Sequence, residues 1–366
     1  MMKNTFGQSV CLTIFGESHG AAVGCVIDGL APGIPVSRDA MEKLLARRRP
    51  SSALDTPRRE EDKFEILSGV FNDKTTGTPI CIVIPNENTR SVDYGYGVAR
   101  PAHADYSAWC KYHGNEDYRG GGHFSGRVTA AIVAAGGILV PALESIGISI
   151  GTHILSCGGV HDRELNDIEK DIALLNAKSF PVLDDACGSE MAQRILDAGK
   201  DGDSIGGVTQ TVVCGVPAGV GEPWFDSVES MISHAVFSIG AVKGIEFGAG
   251  FKLGAMRGSE ANDAFCVDNG TIITKTNNNG GINGGITNGM PIIFDCVVKP
   301  TPSIAKPQDT VDFLKNENAE LSIHGRHDPA IIRRICPVLS SVTALCVCDM
   351  LSQRYGTDVL TKGVNP

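Results

Sequence analysis

The chain has 366 residues and a mass of 38.6 kDa; 42% of its residues are hydrophobic and 20% are charged, which excludes global disorder and allows one large or two ordinary domains. Its 44 glycines follow no Gly-X-Y period, which excludes collagen and places glycines at turns and close backbone approaches. With 32 basic and 42 acidic residues the formal net charge is -10, which argues against a nucleic-acid or other polyanion binder.

The first 20 residues contain interspersed polar and charged side chains rather than the apolar core of a secretory signal. The longest apolar run, residues 130–143, includes two glycines and Pro141, so we expect a buried core helix and no membrane span. The twelve cysteines are scattered without a CxxC pair, which favours reduced thiols. We therefore expect a cytoplasmic protein.

The first quarter of the chain predicts mainly strands, with one helix. Ser37 is the expected N-cap of this helix, and Pro50 ends it, so that Arg47, Arg48 and Arg49 fall at its C-terminus, where cations suit the helix dipole. The predicted strands are residues 10–15, 22–30, 64–70 and 79–85.

Further along, residues 128–143 predict an almost wholly apolar helix, and residues 165–175 an amphipathic one. Other helices are predicted at 189–197, 228–235 and 338–351, and other strands at 146–155, 207–216 and 290–298. Strands that follow each other through short turns favour antiparallel sheets with packed helices, an α+β fold. No Pro/Ser-rich linker interrupts the chain, so we predict a single domain over residues 1–366.

A tight turn, Gly16-Glu-Ser-His-Gly20, follows the first long strand. Its glycines are expected to present Ser18 and His19 outward. A histidine there can donate a proton to a leaving group, since its unperturbed pKa is about 6.5. An ordinary turn with a hydrogen-bonded histidine is the alternative.

A second segment combines His103 with a glycine loop at residues 119–123, and then Ser125, Gly126 and Arg127. Free backbone N–H groups, a hydroxyl and a guanidinium ahead of a helix suit an anion. The loop matches neither the Walker A pattern nor the dinucleotide-binding fingerprint. A loop without ligand remains the alternative.

Two later segments also offer ligand groups. The glycine-rich stretch 277–285 allows close backbone approach, and residues 299–303 add two hydroxyls and a lysine. Asp328 precedes Pro329, which restricts its backbone to extended conformations, and its carboxylate fits a general base or a helix cap.

Metal and serine-hydrolase chemistry fit less well. No histidine pair has HxH or HExxH spacing. Ser18 and His19 are adjacent in sequence, and adjacent residues seldom form the hydrogen-bond relay of a hydrolase.

Taken together, these segments resemble the chorismate synthase family, from about Thr5 to Leu351. The matching motifs are Phe15-Gly-Glu-Ser-His-Gly20, Arg47-Arg-Arg-Pro50, Pro57-Arg-Arg-Glu60, His103-Ala-Asp105, Ser238-Ile-Gly-Ala-Val-Lys-Gly244 and Gly325-Arg-His-Asp-Pro329. The resemblance implies a 1,4-anti elimination of phosphate from 5-enolpyruvylshikimate-3-phosphate, which gives chorismate in the shikimate pathway. It also implies non-covalently bound reduced FMN without net redox change, a β-α-β sandwich with helices between antiparallel sheets, and a homotetramer.

The resemblance also assigns residues to roles. His19 would protonate the departing phosphate, His103 would lie beside the N1/O2 edge of the flavin, and Asp328, with Ser18 and Ser125, would receive the proton from flavin N5. The implied FMN contacts are Ser125, Gly126, Arg127, Gly240, Ala241, Gly284, Lys299, Pro300, Thr301, Pro302, Ser303 and Arg326.

Arg48 and Arg49 would meet the anionic groups of the substrate or of NADPH. On that basis we expect Arg48→Ala to weaken anion binding and to leave the melting temperature nearly unchanged. The chain departs from the common family pattern at His123 and Leu54, where arginine is frequent, and at Val128, where glutamate is frequent. These departures bear on substrate affinity and the contact with the reductant more than on the type of reaction.

Two other classes of function stay open at this point. One is a flavin- or phosphate-binding module whose histidines are structural, and the other is an FMN oxidoreductase, which would consume one reductant per turnover. The sequence lacks an obvious dinucleotide fingerprint. We therefore expect an external flavin reductase to supply reducing equivalents from NADPH.

Overall fold

The computed structural model describes residues 4–52, 54–55, 61–87, 95–323 and 328–363. Its strands are β1 (Thr5–Phe6), β2 (Cys11–Gly16), β3 (Ala22–Asp28), β4 (Glu65–Ser68), β5 (Val70–Phe71), β6 (Lys74–Thr75), β7 (Ile80–Pro85), β8 (Ser149–Cys157), β9 (Val160–His161), β10 (Gly207–Cys214), β11 (Val242–Phe247), β12 (Phe265–Asp268), β13 (Thr271–Thr274), β14 (Ile282–Asn283), β15 (Ile286–Thr287), β16 (Ile292–Val298), β17 (Gln308–Asp312) and β18 (Glu317–Leu321). Its α-helices are α1 (Arg38–Arg48), α2 (Asp105–Tyr112), α3 (Thr129–Glu144), α4 (Ile168–Ala177), α5 (Asp185–Lys200), α6 (Val228–Phe237), α7 (Gly258–Ala261), α8 (Ile332–Tyr355) and α9 (Val359–Lys362).

Two antiparallel five-stranded sheets form the β part of the fold. Sheet one has the order β1-β2-β3-β7-β4, and sheet two has the order β11-β16-β10-β8-β9. The other strands pair as two-stranded hairpins. The predicted α+β class with antiparallel sheets is confirmed.

Helices α1, α3 and α8 pack on one another beside the two sheets. Helix α3 contacts β3 and β7 of sheet one, whereas α8 contacts β8 and β10 of sheet two. Small residues allow the close approach: a Cβ on Gly136 would lie 2.1 Å from Ser341 Oγ of α8, and one on Gly137 would lie 2.7 Å from Met41 Cα of α1. Twelve of the sixteen residues of α3 are buried because neighbours cover the helix on several sides.

Two segments are long and apolar enough to cross a membrane when judged by length and composition alone: Gly126–Glu144, which is α3 with the 3₁₀ turn before it, and α8. Their apolar segments are 78% and 100% buried inside the protein, respectively. The expectation that residues 130–143 form a buried core helix is therefore confirmed. All twelve cysteines lie in the described part of the chain and are free thiols.

The remaining predicted strands and helices are found, with shifted ends. The largest shift concerns α8, which begins at Ile332 and continues through Pro337, whereas the apolar pattern predicted a start near residue 338. The sequence pattern missed α2, because its eight residues mix polar and aromatic side chains without an apolar period. It also missed the hairpins between residues 265 and 321, whose strands are short.

Two arginines at the N-terminus of α8 cap the C-terminus of α1. Arg333 donates to the carbonyl oxygens of Arg47 (3.3 Å) and Arg49 (2.9 Å), and Arg334 Nε donates to that of Arg48 (2.9 Å). Arg333 also forms a buried ion pair with Asp55, at 2.6 Å. Guanidinium groups thus satisfy the terminal carbonyls that a helix leaves unpaired.

Asp55→Asn is expected to lower the melting temperature at pH 7, because it leaves the buried Arg333 without its anion; breaking such a pair costs about 3 kcal/mol. Burial opposes ionisation of Asp55, but hydrogen bonds from Arg333, Ser51 and Ser52 outweigh it and hold its pKa below the usual value. The stabilisation is therefore complete above the unfolded pKa of about 3.9 and is lost as the pH falls through the folded pKa.

Thermal melts of both proteins between pH 2 and pH 8 would measure this effect. The difference in melting temperature should be constant near neutral pH and shrink in acid. Asp197→Asn, which breaks an exposed pair with Lys200, is the control and should change little. A difference between Asp55→Asn and the parent that persists unchanged at the lowest pH would contradict the assignment.

Candidate functional site

A cavity of about 1350 Å³ collects most of the residues singled out from the sequence. Its walls come from β1 and β2, residues 95–129, the connection from α6 to β11, and the start of α8. The predicted site residues that line it are His19, Arg48, His103, Ser125, Gly126, Arg127, Gly240, Ala241, Lys299, Thr301, Pro302, Ser303 and Asp328.

The turn after β2 points inward rather than outward. Ser18 is fully buried and His19 is only 8% exposed, so the expectation that the turn presents them outward is wrong. The backbone N–H of Ser18 donates to the Gly122 carbonyl (3.0 Å), and Asn86 Nδ2 donates to the carbonyls of Glu17 and Gly20 (2.9 Å each). These bonds draw the turn against the glycine loop.

The glycine loop passes between the two predicted catalytic histidines. Gly120, Gly121 and Gly122 have φ values of 61°, 83° and 52°, a left-handed path that favours glycine. A Cβ on Gly120 would lie 2.5 Å from His19 Nε2, and one on Gly121 would lie 3.3 Å from His103 Cε1. The loop therefore brings His19 and His103 to one site, and only a backbone without side chains fits between them.

His103 is held by a carboxylate. Its Nδ1 lies 2.8 Å from Asp105 Oδ1. Arg100 donates to the same carboxylate from Nε (2.8 Å) and from Nη2 (2.7 Å). Burial opposes ionisation of Asp105, but the hydrogen bonds from Arg100 and His103 outweigh it and keep its pKa well below its usual range.

Arg48 and Arg127 converge on one buried carboxylate, that of Asp62. Arg48 Nη1 lies 3.0 Å from Asp62 Oδ2, and Arg127 Nη1 contacts Asp62 Oδ1. Arg48 also donates to Thr129 Oγ1 and to the Gly126 carbonyl, both at 2.9 Å. It thereby ties the end of α1 to the turn that starts α3.

This geometry contradicts the stability half of the expectation for Arg48. Arg48→Ala is now expected to destabilise the protein by about 3 kcal/mol, because it removes one partner of a buried ion pair and two hydrogen bonds. Chemical denaturation measures the free energy of unfolding. Arg194→Ala, which removes one partner of an exposed pair with Glu190, is the control; equal stability of the two variants would contradict the buried role.

Asp328 lines the cavity from the segment that precedes α8. Its Oδ2 accepts a hydrogen bond from Arg334 Nη1 at 2.6 Å, which orients the carboxylate. Ser125 accepts a bond from the Arg127 backbone N–H (3.2 Å) and caps the 3₁₀ turn Gly126–Val128.

Lys299, Thr301 and Ser303 add a cationic group and hydroxyl groups to the cavity wall. Lys299 Nζ donates to the Ala102 carbonyl at 2.5 Å, and burial together with the nearby Lys243 lowers the pKa of Lys299. The Thr301 hydroxyl is buried and has no hydrogen-bond partner among the described residues. A buried hydroxyl is costly to leave unpaired, so Thr301 suits a bound ligand. The Ser18 hydroxyl is also buried without such a partner, but Ser18 does not line the cavity.

Some predicted residues lie elsewhere. The described residues that line the cavity do not include Gly284, Pro300, Ser18 or Arg49. Gly284 is at the exposed turn from β14 to β15. Arg49 donates instead to the Glu61 carbonyl. Arg326 lies outside the described residues, as do the motif residues 57–60 and 325–327. These assignments therefore stay predictions.

The asparagine- and glycine-rich loop that the sequence offered as a ligand site is organised around Asp263. That carboxylate accepts bonds from the Asn278 and Asn279 backbones (2.7 and 2.8 Å) and from the Thr276 hydroxyl (2.7 Å). Within the described chain, no residue of 277–285 lines the cavity.

The sequence analysis noted His123 only as a departure from the family pattern, and the structure places this histidine at the cavity. His123 Nδ1 donates to the Gly16 carbonyl at 2.8 Å and so fastens the loop to the histidine turn. The sequence analysis missed a cluster of aromatic side chains at the cavity. The ring centroids of Tyr96 and Tyr118 lie 4.7 Å apart, and the Phe313 ring contacts that of Tyr96. No periodicity marks these residues, because they come from separate segments of irregular structure.

Comparison with known proteins gives a consistent picture. The family model described as chorismate synthase matches residues 10–352. The chorismate synthase of Methanosarcina acetivorans is 45% identical over 354 residues, covering 95% of this chain and 96% of that protein. That of Thermococcus gammatolerans is 44% identical over 350 residues, covering 95% and 97%. A crystal structure of chorismate synthase superposes with a TM-score of 0.76 at 27% identity, covering 96% of this chain and 94% of the other.

Proposed function

Because the chain belongs to the chorismate synthase family, a family of lyases of the shikimate pathway, we propose that it converts 5-enolpyruvylshikimate-3-phosphate to chorismate by 1,4-anti elimination of phosphate, with reduced FMN bound non-covalently. One observation carries this proposal. Two histidines and Asp328 line one cavity, where a glycine loop separates His19 from His103. A module that only binds flavin has no need of this arrangement.

The charged groups at the cavity suit a substrate with two carboxylates and one phosphate. Arg48, Arg127, Lys243 and Lys299 line it. Charge-assisted hydrogen bonds from such groups are stronger than neutral ones. We assign the substrate's anions to Arg48 and Arg49, as the family resemblance implies; Arg48 would have to meet an anion while it is paired with Asp62, and Arg49 does not line the cavity among the described residues.

The residues present also fit a flavin. The unpaired buried hydroxyl of Thr301 and the cation of Lys299 form one wall, and the side-chain-free backbone of Gly126 and Gly240 leaves room for a flat ring. The residues proposed to hold FMN at this cavity are Ser125, Gly126, Arg127, Gly240, Ala241, Lys299, Thr301, Pro302 and Ser303. When bound, reduced FMN supplies transient electron donation to the substrate and a site for the hydrogen removed from it.

Proton movements are assigned to side chains of this chain. The His19 imidazole donates a proton to the departing phosphate. Its ring lies next to Gly120 and lines the cavity, where the substrate would bind. The Asp328 carboxylate, held in direction by Arg334, takes up a proton, and the buried hydroxyl of Ser18 together with Ser125 relays it.

The remaining assignments belong to the same proposal. The β-α-β sandwich is supported by the contacts of α3 with sheet one and of α8 with sheet two. Association of copies is supported by apolar side chains such as Trp224 and Phe225, which are 85% and 92% exposed in the single chain, whereas the number of four subunits rests on the family resemblance. A cytoplasmic location, supply of electrons from NADPH by an external flavin reductase, and one domain over residues 1–366 rest on the sequence.

An anaerobic assay with chemically reduced FMN tests the proposal. Phosphate and chorismate should form in equal amounts, and neither should form without flavin. Binding of reduced FMN with no product from this substrate would favour the non-catalytic module. Product formation without any flavin would contradict the assigned cofactor.

A further inference from the structure

We propose that Asp105 is a positioning residue that fixes the ring of His103 with its proton on Nδ1, so that Nε2 is the nitrogen that exchanges a proton with the cavity. This inference rests on the proposed function only where it concerns turnover. Its structural half concerns the histidine of the ligand-free protein.

Four donors converge on the Asp105 carboxylate. Oδ1 accepts from His103 Nδ1 and Arg100 Nη2, and Oδ2 accepts from Arg100 Nε (2.8 Å) and from the Arg100 backbone N–H (2.9 Å). Asp105 is also the first residue of α2, where the helix dipole favours a negative charge. The side chain of Asp105 is only 17% exposed, so water competes little for these bonds.

A carboxylate with these partners is an acceptor only. An ionised carboxyl has no proton to give, so the bond of 2.8 Å requires that His103 Nδ1 carry one. The tautomer of a histidine is set by the bond that its other nitrogen makes. The neutral ring must therefore have its lone pair on Nε2.

The second nitrogen faces the glycine loop. Nε2 would lie 3.4 Å from a Cβ on Gly121, and among the described residues it has no hydrogen-bond partner. The side chain is 17% exposed, and His103 lines the cavity. A ligand in the cavity can therefore reach Nε2, whereas Nδ1 is turned towards Asp105.

Another histidine of the chain shows the structural alternative. His153 pairs with Asp162 in the same way (Nδ1 to Oδ2, 3.1 Å), but its Nε2 lies 3.3 Å from Gln210 Oε1, and its side chain is fully buried. Both of its nitrogens are engaged inside sheet two. In His103 only Nδ1 is engaged by Asp105, and Nε2 is left for a ligand in the cavity. This is the arrangement expected of a group that exchanges protons.

The tautomer has a chemical consequence. With Nδ1 always protonated, the ring gains or loses its exchangeable proton at Nε2 only. Its cationic form then carries an N–H directed to the cavity, where it can stabilise negative charge on a bound ligand. Without the Asp105 carboxylate the ring can rotate or change tautomer, and the population in the competent form falls.

Asp105→Asn tests the proposal, with Asp171→Asn as the matched control. Asp171 also lies in the first turn of a helix, receives a two-pronged bond from Arg163 (2.6 and 3.1 Å) and a backbone N–H from Asn166 (2.9 Å), but does not bind a histidine. Among the described residues it does not line the cavity. Both variants lose an equivalent carboxylate, so any general loss of stability should be similar.

The direct readout is ¹⁵N NMR of histidine-labelled, ligand-free protein above pH 8, with His103→Gln used to assign the signal. We expect a protonated Nδ1 and an unprotonated Nε2 for His103 in the parent and in Asp171→Asn, and a mixed or inverted pattern in Asp105→Asn. Turnover of Asp105→Asn should fall by roughly 10²–10⁴-fold, and Asp105→Glu should recover part of it. Asp171→Asn should keep normal turnover.

A neutral His103 ring in the parent with its proton on Nε2 and none on Nδ1 would overturn the proposal, and this measurement needs no variant to fold. An unchanged tautomer with normal turnover in Asp105→Asn would overturn it as well. If the parent shows the expected tautomer but makes no chorismate, the proposed function fails while the placement of the proton stands.

Discussion

His19→Ala should lower turnover by roughly 10²–10⁴-fold, about 3–5 kcal/mol in the barrier, while reduced FMN still binds in the presence of substrate. The reason is that the variant removes the proposed proton donor to the departing phosphate and leaves the arginine and lysine groups of the cavity in place. Asp328→Asn should lower turnover by a similar factor, since the amide keeps the contact with Arg334 but cannot take up the proton.

His103→Ala is the informative comparison. It should change the protonation of bound reduced flavin as well as turnover, because it removes a group proposed to lie at the flavin edge. Single-turnover kinetics and the absorbance of bound flavin, measured for the three variants, separate the roles. If His19→Ala kept near-normal turnover at every pH, the donor role would be wrong, and the turn at Gly16–Gly20 would be structural.

Gly120→Ala is expected to reduce turnover by at least about 10²-fold, even though the glycine carries no chemical group. Its Cβ would lie 2.5 Å from His19 Nε2 and 3.0 Å from Ser18 Oγ, so the histidine must move. The backbone at φ 61° adds roughly 1–2 kcal/mol of strain for a residue with a side chain. Steady-state kinetics with reduced FMN measures the loss, and thermal melts show how much of it reflects folding.

Gly254→Ala is the control for this experiment. Gly254 is exposed, a Cβ there meets nothing within 4 Å, and its φ is not in the left-handed region. It should leave both turnover and stability unchanged. Full activity of Gly120→Ala would show that the loop does not set the position of His19.

The parts of the fold that the sequence predicted are those with strong local patterns. Alternation over residues 10–15 indicated β2, and the unbroken apolar run indicated α3 as a buried helix. Ser37 could be predicted as the N-cap of α1 because helix capping depends on a local bond. In the structure its hydroxyl accepts from the Ala40 N–H. The pairing order of the strands depends on distant segments, which no local pattern specifies.

The site was predicted unevenly for the same reason. The motif resemblance found His19, His103 and Asp328, and the cavity brings these residues together. It did not show that Arg48 is buried on Asp62, because that contact joins α1 to a loop and to the start of α3. A cluster of arginines has the same sequence pattern whether its charges face a ligand or an internal carboxylate.

The electron balance of the reaction tests the central claim most directly. A limiting amount of FMN is reduced anaerobically, substrate is added in large excess, and flavin absorbance and released phosphate are followed in one sample. We predict many phosphates and chorismates per flavin, with the flavin still reduced at the end. One phosphate per flavin, with the flavin oxidised in step, would contradict an elimination without net redox change and would indicate an oxidoreductase.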